Sequence, residues 1–590
     1  MFGIKTSRQY RELTSQKISW GHWFAFFNII WAILIGSRYA FIIDWPYTLF
    51  GKIYFFISLL GHFSFITFAL YLLILFPLSF IIKNERTFRG ISVIFATIST
   101  TLLLVDTEVF ARFNLHLSSV VWNLLVNPEN GELARHWQLF FTPMPLMLLV
   151  QMLFSRWAWY RLRSLERQKW IRGLGLFLTG MFIATHLIYT WADAYIYRPI
   201  TMQKSNFPLS YPMTAVNFLE KNGILNKDEY ENRLEQEGRV EAPRINYPKN
   251  PLTFAENASR PNILLINISG LRNDALSDNV PNLQQFAHQA TRFTHHYSTG
   301  NTNNAGLTGL FYGLTANYTD SLLSNRTPSV LIQHLQQQGY QFGLFSANNF
   351  NDSLFKQALF KKINGLKGQQ SNQTAIQQWA TWFKTQDNSP WFSYLDLDLI
   401  TPTKNLHSKT LAQEQQDYQQ QLALLDNQLA TIFTQFTDTQ AQNTLVILTA
   451  EHGYAYQLTK KEQQNYFARD EIQVPMWVQW KTLPIGDVTK LSSHTDLLPA
   501  LMKHIFKANN PTQDYSQGID LFNLSQSDPW VLAANHRWNV IITPDDTQYH
   551  IDNKGNYQKF DRNYQVQSSN RPPLGLFLDA FNRNKMFFEK

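Results

Sequence analysis

Glu451 and His452 are the most pointed pair of chemical groups in the chain. They follow the apolar run Thr444-Leu-Val-Ile-Leu-Thr449, so a carboxylate and an imidazole stand together at the end of a predicted strand. Hard oxygen donors, joined by histidine for zinc-like ions, are what hold a divalent cation. The same two groups could instead cap the strand end with hydrogen bonds. Asp396 and Asp398 follow a second apolar run and read as a solvated turn, with spare metal ligands as the alternative. The chain contains no Cys. That excludes a cysteine nucleophile, a thiolate metal site and a disulfide framework. A hydroxyl nucleophile would need a metal or a base to activate it.

These groups need a scaffold. The run Pro261-Asn-Ile-Leu-Leu-Ile-Asn-Ile268 is continuous, apolar and bounded by turn residues, as a buried parallel strand should be. Residues 391–395, 444–449 and 474–480 read as further strands, and 329–338 and 411–436 as helices between them. Alternating strands and helices predict a mostly parallel sheet with function at the carboxyl ends of its strands. The Gln-rich composition of 411–436 reads as a solvated helix face.

The first third of the chain has a different composition. Apolar stretches cover residues 20–43, 53–82, 91–105, 137–154 and 173–191. A bilayer core needs about 20 apolar residues in a helix, with a range of roughly 17–25. Five membrane-spanning helices are expected, the third of them short because Asp106 and Glu108 lie just beyond it. Lys and Arg set the orientation. Thirteen lie in segments 1–19, 83–89 and 155–172, against three in 44–52 and 106–136. The N-terminus is thus expected in the cytoplasm, and everything after Trp191 in the periplasm of a Gram-negative cell. The first stretch lacks a small-residue cleavage site and reads as a retained helix. Arg38, His62 and His186 are the polar groups within the spans. Arg38 is expected to snorkel, and the histidines to bond neighbouring helices, with a proton relay as the functional alternative. No Asp or Glu is expected deep in any span, which argues against an ion-coupled transporter.

Between anchor and sheet, residues 192–260 read as a connector. Arg198-Pro-Ile-Thr-Met-Gln-Lys204 leaves the membrane, and a short helix is predicted over 212–223 with Met213, Val216 and Leu219 on one side. A charged amphipathic segment, 226–237, and a proline-rich strap follow. Arg198, Lys204 and Lys221 could meet lipid phosphates at the membrane surface, with Met213 and Val216 facing acyl chains. A plain linker fits the same pattern. The expected organisation is therefore 1–191, a transmembrane domain; 192–260, a juxtamembrane connector; and 261–590, an α/β domain.

Several motifs carry a family resemblance. Pro261-Asn-Ile-Leu-Leu-Ile-Asn-Ile-Ser-Gly-Leu-Arg272-Asn-Asp274 resembles the opening strand of the alkaline phosphatase/sulfatase superfamily. Thr449-Ala-Glu451-His452-Gly453 resembles its T-x-D-H-G motif, whose acidic residue and His bind metal. Ser493-His494-Thr-Asp496-Leu-Leu-Pro499 resembles its later H-x-D-L-x-P helix, and Gly300-Asn-Thr302 falls where lipoteichoic-acid-synthase-like members carry G-K-T. The spans, the segment from Arg198 to Ala215 and Tyr515-Ser-Gln-Gly-Ile-Asp-Leu-Phe522 together resemble the YejM (PbgA, LapC) inner-membrane family over essentially the whole chain. That resemblance implies a five-helix α-helical transmembrane domain carrying an α/β periplasmic domain of alkaline phosphatase/sulfatase-like fold. It implies recognition of lipopolysaccharide, through lipid A, and of cardiolipin. It also implies restraint of a LapB-type membrane adaptor and, through it, of FtsH proteolysis of LpxC.

The resemblance makes Thr302 the candidate nucleophile and Glu451 and His452 the candidate ligands of Mg²⁺ or Mn²⁺, for a phosphohydrolase or phosphotransferase acting on lipid headgroups. Two departures weigh on it. Ser269 stands where the pattern has a metal-binding Asp or Glu, and Val216-Asn217 stands where family members carry a basic pair. A degraded metal site is expected. No C-x-P-x-R or S-x-P-x-R motif occurs, which excludes a formylglycine sulfatase.

These elements reinterpret the composition. The 590 residues have a mean hydropathy of −0.23, as in a soluble protein, because an aromatic anchor and a polar domain average out. The net charge of +8 resides largely in the expected cytoplasmic loops and asks for no nucleic acid.

Overall fold

The structure, a computed structural model, describes residues 7–43, 45–113, 116–117, 122, 141–160, 169–226, 229–230, 233–234, 238–239, 242–256, 259–363, 367–368, 371–386, 389–400, 410–436, 438–458, 462, 465–535, 537–552, 556–567 and 574–588. Each apolar stretch of the anchor contributes a helix: α1 (Ser7–Gly36), α2 (Leu49–Leu70), α3 (Glu85–Phe113), α4 (Met144–Tyr160) and α5 (Lys169–Ala194). α2 continues through a π-helical turn, Tyr71–Leu75, into Phe76–Ile81. Pro77 has no N–H for the carbonyl four residues back, and the wider turn ahead of it re-registers the ladder. Among the described residues four segments, Tyr10–Phe41, Leu49–Ile81, Glu85–Ala111 and Ile171–Ala194, are long and apolar enough to cross a membrane. α4 has 17 described residues; positions 137–140 of its expected span lie outside the described residues.

Three expectations about the anchor are corrected. The third helix does not stop before Asp106 but continues to Phe113. Asp106 is accommodated because the Tyr39 hydroxyl, His116 Nδ1 (2.7 Å) and the Leu117 N–H (2.5 Å) all converge on its carboxylate. Arg38 does not simply snorkel; it pairs with Glu108 of α3 at 3.4 Å. Lys17, counted above only as a loop charge, is buried. It caps the end of α2 by donating to the carbonyls of Ser79 and Ile82, the latter at 2.7 Å.

The C-terminal region is built on an eight-stranded sheet. Its strands in chain order are β1 (Asn262–Ser269), β2 (Thr291–Phe293), β3 (Gln341–Ser346), β4 (Lys367–Gly368), β5 (Trp391–Asp398), β6 (Thr444–Thr449), β7 (Met476–Gln479) and β8 (Gly486–Val488). The spatial order is β4-β3-β5-β1-β6-β7-β2-β8. From β4 to β6 all neighbours are parallel, as expected; β7 is antiparallel to β6 and to β2. Both faces of β1 are buried, which explains its unbroken apolar run. A second sheet of five antiparallel strands spans residues 531–567 and was not signalled by the sequence reading. Its core, around Ile541 and Phe577, is separate from the two cores that cover the main sheet.

Candidate functional site

The strand ends form the first site. Register places Asn267 of β1 beside Asp396 of β5 and Thr449 of β6, and Ser269 beside Asp398. Glu451 and His452 follow β6 directly. The Ser269 hydroxyl donates to the Glu451 carboxylate, so the residue that replaced the expected ligand occupies the one that remains. Burial pushes the Glu451 carboxyl well above the usual range, with Asp396 adding to the shift. Asp396 accepts from Ser346 (2.8 Å) and Asn267 (3.1 Å), and burial pushes it up to about 7. Two buried carboxyls thus favour carrying protons over carrying charge.

His452 Nε2 lies 2.9 Å from Asn303 Oδ1, and Nδ1 lies 2.8 Å from the Gly453 carbonyl and 3.5 Å from Glu471. Asn303 donates its own amide to Asp352 at 3.1 Å, which fixes its oxygen toward His452. Both ring nitrogens therefore face oxygen acceptors. Thr302 precedes α6 (Asn303–Tyr312) as its N-cap, is exposed, and makes no side-chain cap bond. Its neighbour Asn303 makes the bond to His452. Gly306 on the first turns of α6 lets the helix press on the strand end: a Cβ there would sit 2.0 Å from the Glu451 carbonyl oxygen.

The residues do not fit a Mg²⁺ or Mn²⁺ ion. Among the described residues no three His, Asp or Glu side chains stand together as a ligand set. Glu451 is held by Ser269, and His452 would have to give up one of its oxygen partners to turn a nitrogen lone pair toward an ion.

The sequence reading missed a histidine pair beneath this site. His494 Nε2 donates to the Ala450 carbonyl at 2.9 Å, so its Nδ1 accepts from His296 Nε2 at 2.9 Å. His296 Nδ1 in turn accepts from the Ser492 hydroxyl at 3.0 Å. Burial holds His494 down at about 3 and His296 well below its ordinary value, so the chain is neutral and braces the backbone just before Glu451. His494 sat in a quoted motif; His296, distant in sequence, gave no signal.

The second site is the seam between bundle and connector. Phe207 is buried among the rings of Tyr39, Phe55, His62 and Phe63. His62 Nε2 donates to the Pro208 carbonyl (2.8 Å), and His116 Nε2 to the Ser205 carbonyl (2.9 Å). His186 Nδ1 accepts from the Met213 N–H (3.0 Å), and Thr190 donates to the Met213 carbonyl (2.9 Å). The intramembrane histidines therefore hold the connector and do not bond neighbouring helices.

Beyond this clasp the predicted short helix forms over Val216–Lys221, shorter than the expected 212–223. Leu209, Tyr211, Met213, Phe218 and Ile224 are exposed along this stretch, Val216 is half-buried and Lys221 is exposed. Lys204 is half-buried. Arg198 donates to the Gly238 carbonyl at 3.0 Å. With Arg244, whose guanidinium lies 4.5 Å over the Tyr47 ring, it lines a polar cavity of about 540 Å³. Arg244 was hidden in the proline-rich strap. Much of segment 226–237 lies outside the described residues.

Comparison with known proteins agrees with this architecture. Residues 7–254 match a family described as a domain of unknown function, DUF3413, and residues 255–507 match the sulfatase family. An uncharacterized protein of Haemophilus influenzae is 61% identical across 100% of this chain and 99% of its own. The inner membrane protein YejM of Salmonella typhimurium is 43% identical across 99% of both chains. A solved protein of the alkaline phosphatase superfamily from Vibrio parahaemolyticus aligns at 14% identity with a TM-score of 0.43, over 58% of this chain and 92% of that one.

Proposed function

Because the chain belongs to the YejM family of inner membrane proteins, we propose that it senses lipid at the membrane surface and regulates lipopolysaccharide synthesis, with its sulfatase-like domain in the periplasm. The observation that carries the reading is the contrast at Glu451. The candidate metal ligand Glu451 is tied to Ser269 and buried, whereas the connector offers Met213, Phe218 and Lys221 to the surface. Exposed apolar side chains beside basic ones suit an amphiphile with a phosphorylated headgroup. Lipopolysaccharide, through lipid A, and cardiolipin have that chemistry. Arg198, Lys204 and Lys221 would meet the phosphates, and Met213 and Val216 the acyl chains. The regulatory output would be restraint of a LapB-type adaptor, and through it of FtsH-dependent loss of LpxC.

Affinity capture of the full-length protein from membranes tests this reading. Co-purification of lipopolysaccharide and a LapB-type adaptor, with lipopolysaccharide lowered in a Lys204→Glu, Lys221→Glu variant, is expected. Recovery of neither would overturn it. The competing reading is a lipid-headgroup phosphohydrolase. It would require phosphate release with Mn²⁺ that Thr302→Ala abolishes.

A further inference from the structure

A gap inside the helical bundle remains unexplained by either site. α2 and α3 each pack along α1, but they scarcely touch one another. The space left between them over α1 is a cavity of about 370 Å³. It extends along α3 from Phe95 to Asp106, a rise of about 16 Å at 1.5 Å per residue. Half the hydrocarbon core of a bilayer is about 15 Å thick. The slot is therefore as long as one leaflet is deep.

Its walls are those of a site for hydrocarbon. Phe24, Ala32, Phe63, Leu70, Ala96 and Leu103 are among its apolar lining. Two polar wall residues are already occupied: Thr100 donates to the Ala96 carbonyl at 2.8 Å, and Asn28 bonds the Phe24 carbonyl (2.9 Å) and Gln151 (2.7 Å). Asp106 marks the polar end, which lies on the connector side. The opening is lateral, since Leu70, Ser99 and Leu103 are half-buried and Leu102 is exposed.

At the polar end the connector closes the slot with Pro208 and Leu209. The Pro208 carbonyl is the one His62 holds, and Leu209 adopts a left-handed backbone (φ 57°). That conformation is uncommon for a side-chain-bearing residue and persists where surroundings enforce it. An apolar cavity of this size disfavours water, and an unfilled one forfeits wall contacts. In a bilayer the apolar group on hand to fill it is a lipid tail.

We propose that the slot between α2 and α3 takes one acyl chain of a lipid from the connector-side leaflet, and that the chain's headgroup end bears on Pro208–Leu209. The inference deepens the lipid-sensing reading and rests on it for its biological meaning. It gives the sensor a tail-binding element distinct from any headgroup contact, and couples occupancy to the segment that His62, His116 and His186 clasp.

The test uses full-length protein in nanodiscs of palmitoyl-oleoyl phosphatidylethanolamine. These are doped with an analogue carrying a diazirine in one acyl chain, irradiated, and the label is mapped by mass spectrometry. Wall residues Ala96, Thr100 and Leu103 should be labelled in preference to the outward-facing Leu73 and Ile94. Ser99→Phe, which fills the slot from α3, should lower wall labelling about tenfold, because the ring excludes the chain. Thr67→Phe should do the same from α2, and label at Leu73 and Ile94 should be unchanged. Uniform labelling around the bundle, or wall labelling indifferent to both substitutions, would overturn the proposal. If neither variant folds, the wild-type map decides alone. Wall labelling without lipopolysaccharide capture would sink the sensing function and leave the slot standing; capture without wall labelling would do the reverse.

Discussion

The strand ends around Glu451 and the seam around His62 both join distant parts of the chain through side chains that sequence marked as chemically suggestive, but they meet opposite demands. At the strand ends the polar groups face one another. Ser269 bonds Glu451, Asn303 bonds His452, and His296 bonds His494. At the seam the histidines bond backbone groups of the connector, which buries Phe207 but leaves Leu209, Tyr211, Met213 and Phe218 exposed. A cluster of partnered, buried groups specifies a rigid core, since leaving any member unpaired is costly. A strap held at intervals with most of its apolar side chains outward leaves an apolar face that no core among the described residues covers. On the proposed reading, the difference puts lipid contact at the seam and structural constraint at the strand ends.

Breaking the rigid side should have the largest effect. Gly306→Ala would drive a Cβ against the Glu451 carbonyl, and overpacking against backbone should cost about 3 kcal/mol or more. Thermal melting of the full chain should show a fall of several degrees, while protease sensitivity of the connector stays as in the wild type. A normal melting temperature would mean that α6 can shift away from the strand.

The seam should break independently. His62→Ala frees the Pro208 carbonyl, a loss of roughly 1–3 kcal/mol if the group stays buried. Hydrogen exchange over residues 205–213 should quicken with little change around β1. Equal acceleration in both places would erase the distinction drawn here.

A pH series sharpens the comparison. Folded His494 titrates at about 3 against an ordinary 6.5, so the folded state binds fewer protons between those values. Its contribution is fully present above pH 6.5 and is lost as pH falls toward 3, at roughly 1.4 kcal/mol per pH unit. Asp396, at about 7 against 3.8, runs the other way: stability is present below 3.8 and lost as pH rises toward 7. The two slopes oppose each other between pH 4 and 6.5. Asp396→Asn should therefore make stability rise more steeply with pH across that window, measured by denaturant titration at pH 4.5, 5.5 and 6.5. An unchanged slope would show that Asp396 is ionised in the folded protein.

The smallest effect is expected at Thr302→Ala. The side chain is exposed and makes no cap bond, so stability should move by less than about 0.5 kcal/mol. A larger loss would place Thr302 within the bonded cluster.

Patterns local in sequence were legible without coordinates. The buried strand from Pro261 to Ile268, the helix after Ser329 and the five apolar stretches all follow from residue periodicity, because secondary structure is set by which faces are apolar. The pairing of Glu451 and His452 at one strand end was readable for the same reason, as was the loss of an acidic ligand at Ser269. Partnership across the fold was not. His296 and His494 are neighbours only because residues 296–297 pair with 492–493. His62 and His186 looked like intramembrane polar groups because nothing in their own helices reveals that the connector folds back onto them. Composition and periodicity determined that this chain has a membrane anchor and an α/β domain, and the quoted motifs carried the resemblance that marks that domain as sulfatase-like. Tertiary structure alone decided which polar groups satisfy each other and which gap stays open, since hydrogen bonds and cavities depend on packing between segments that sequence order leaves far apart.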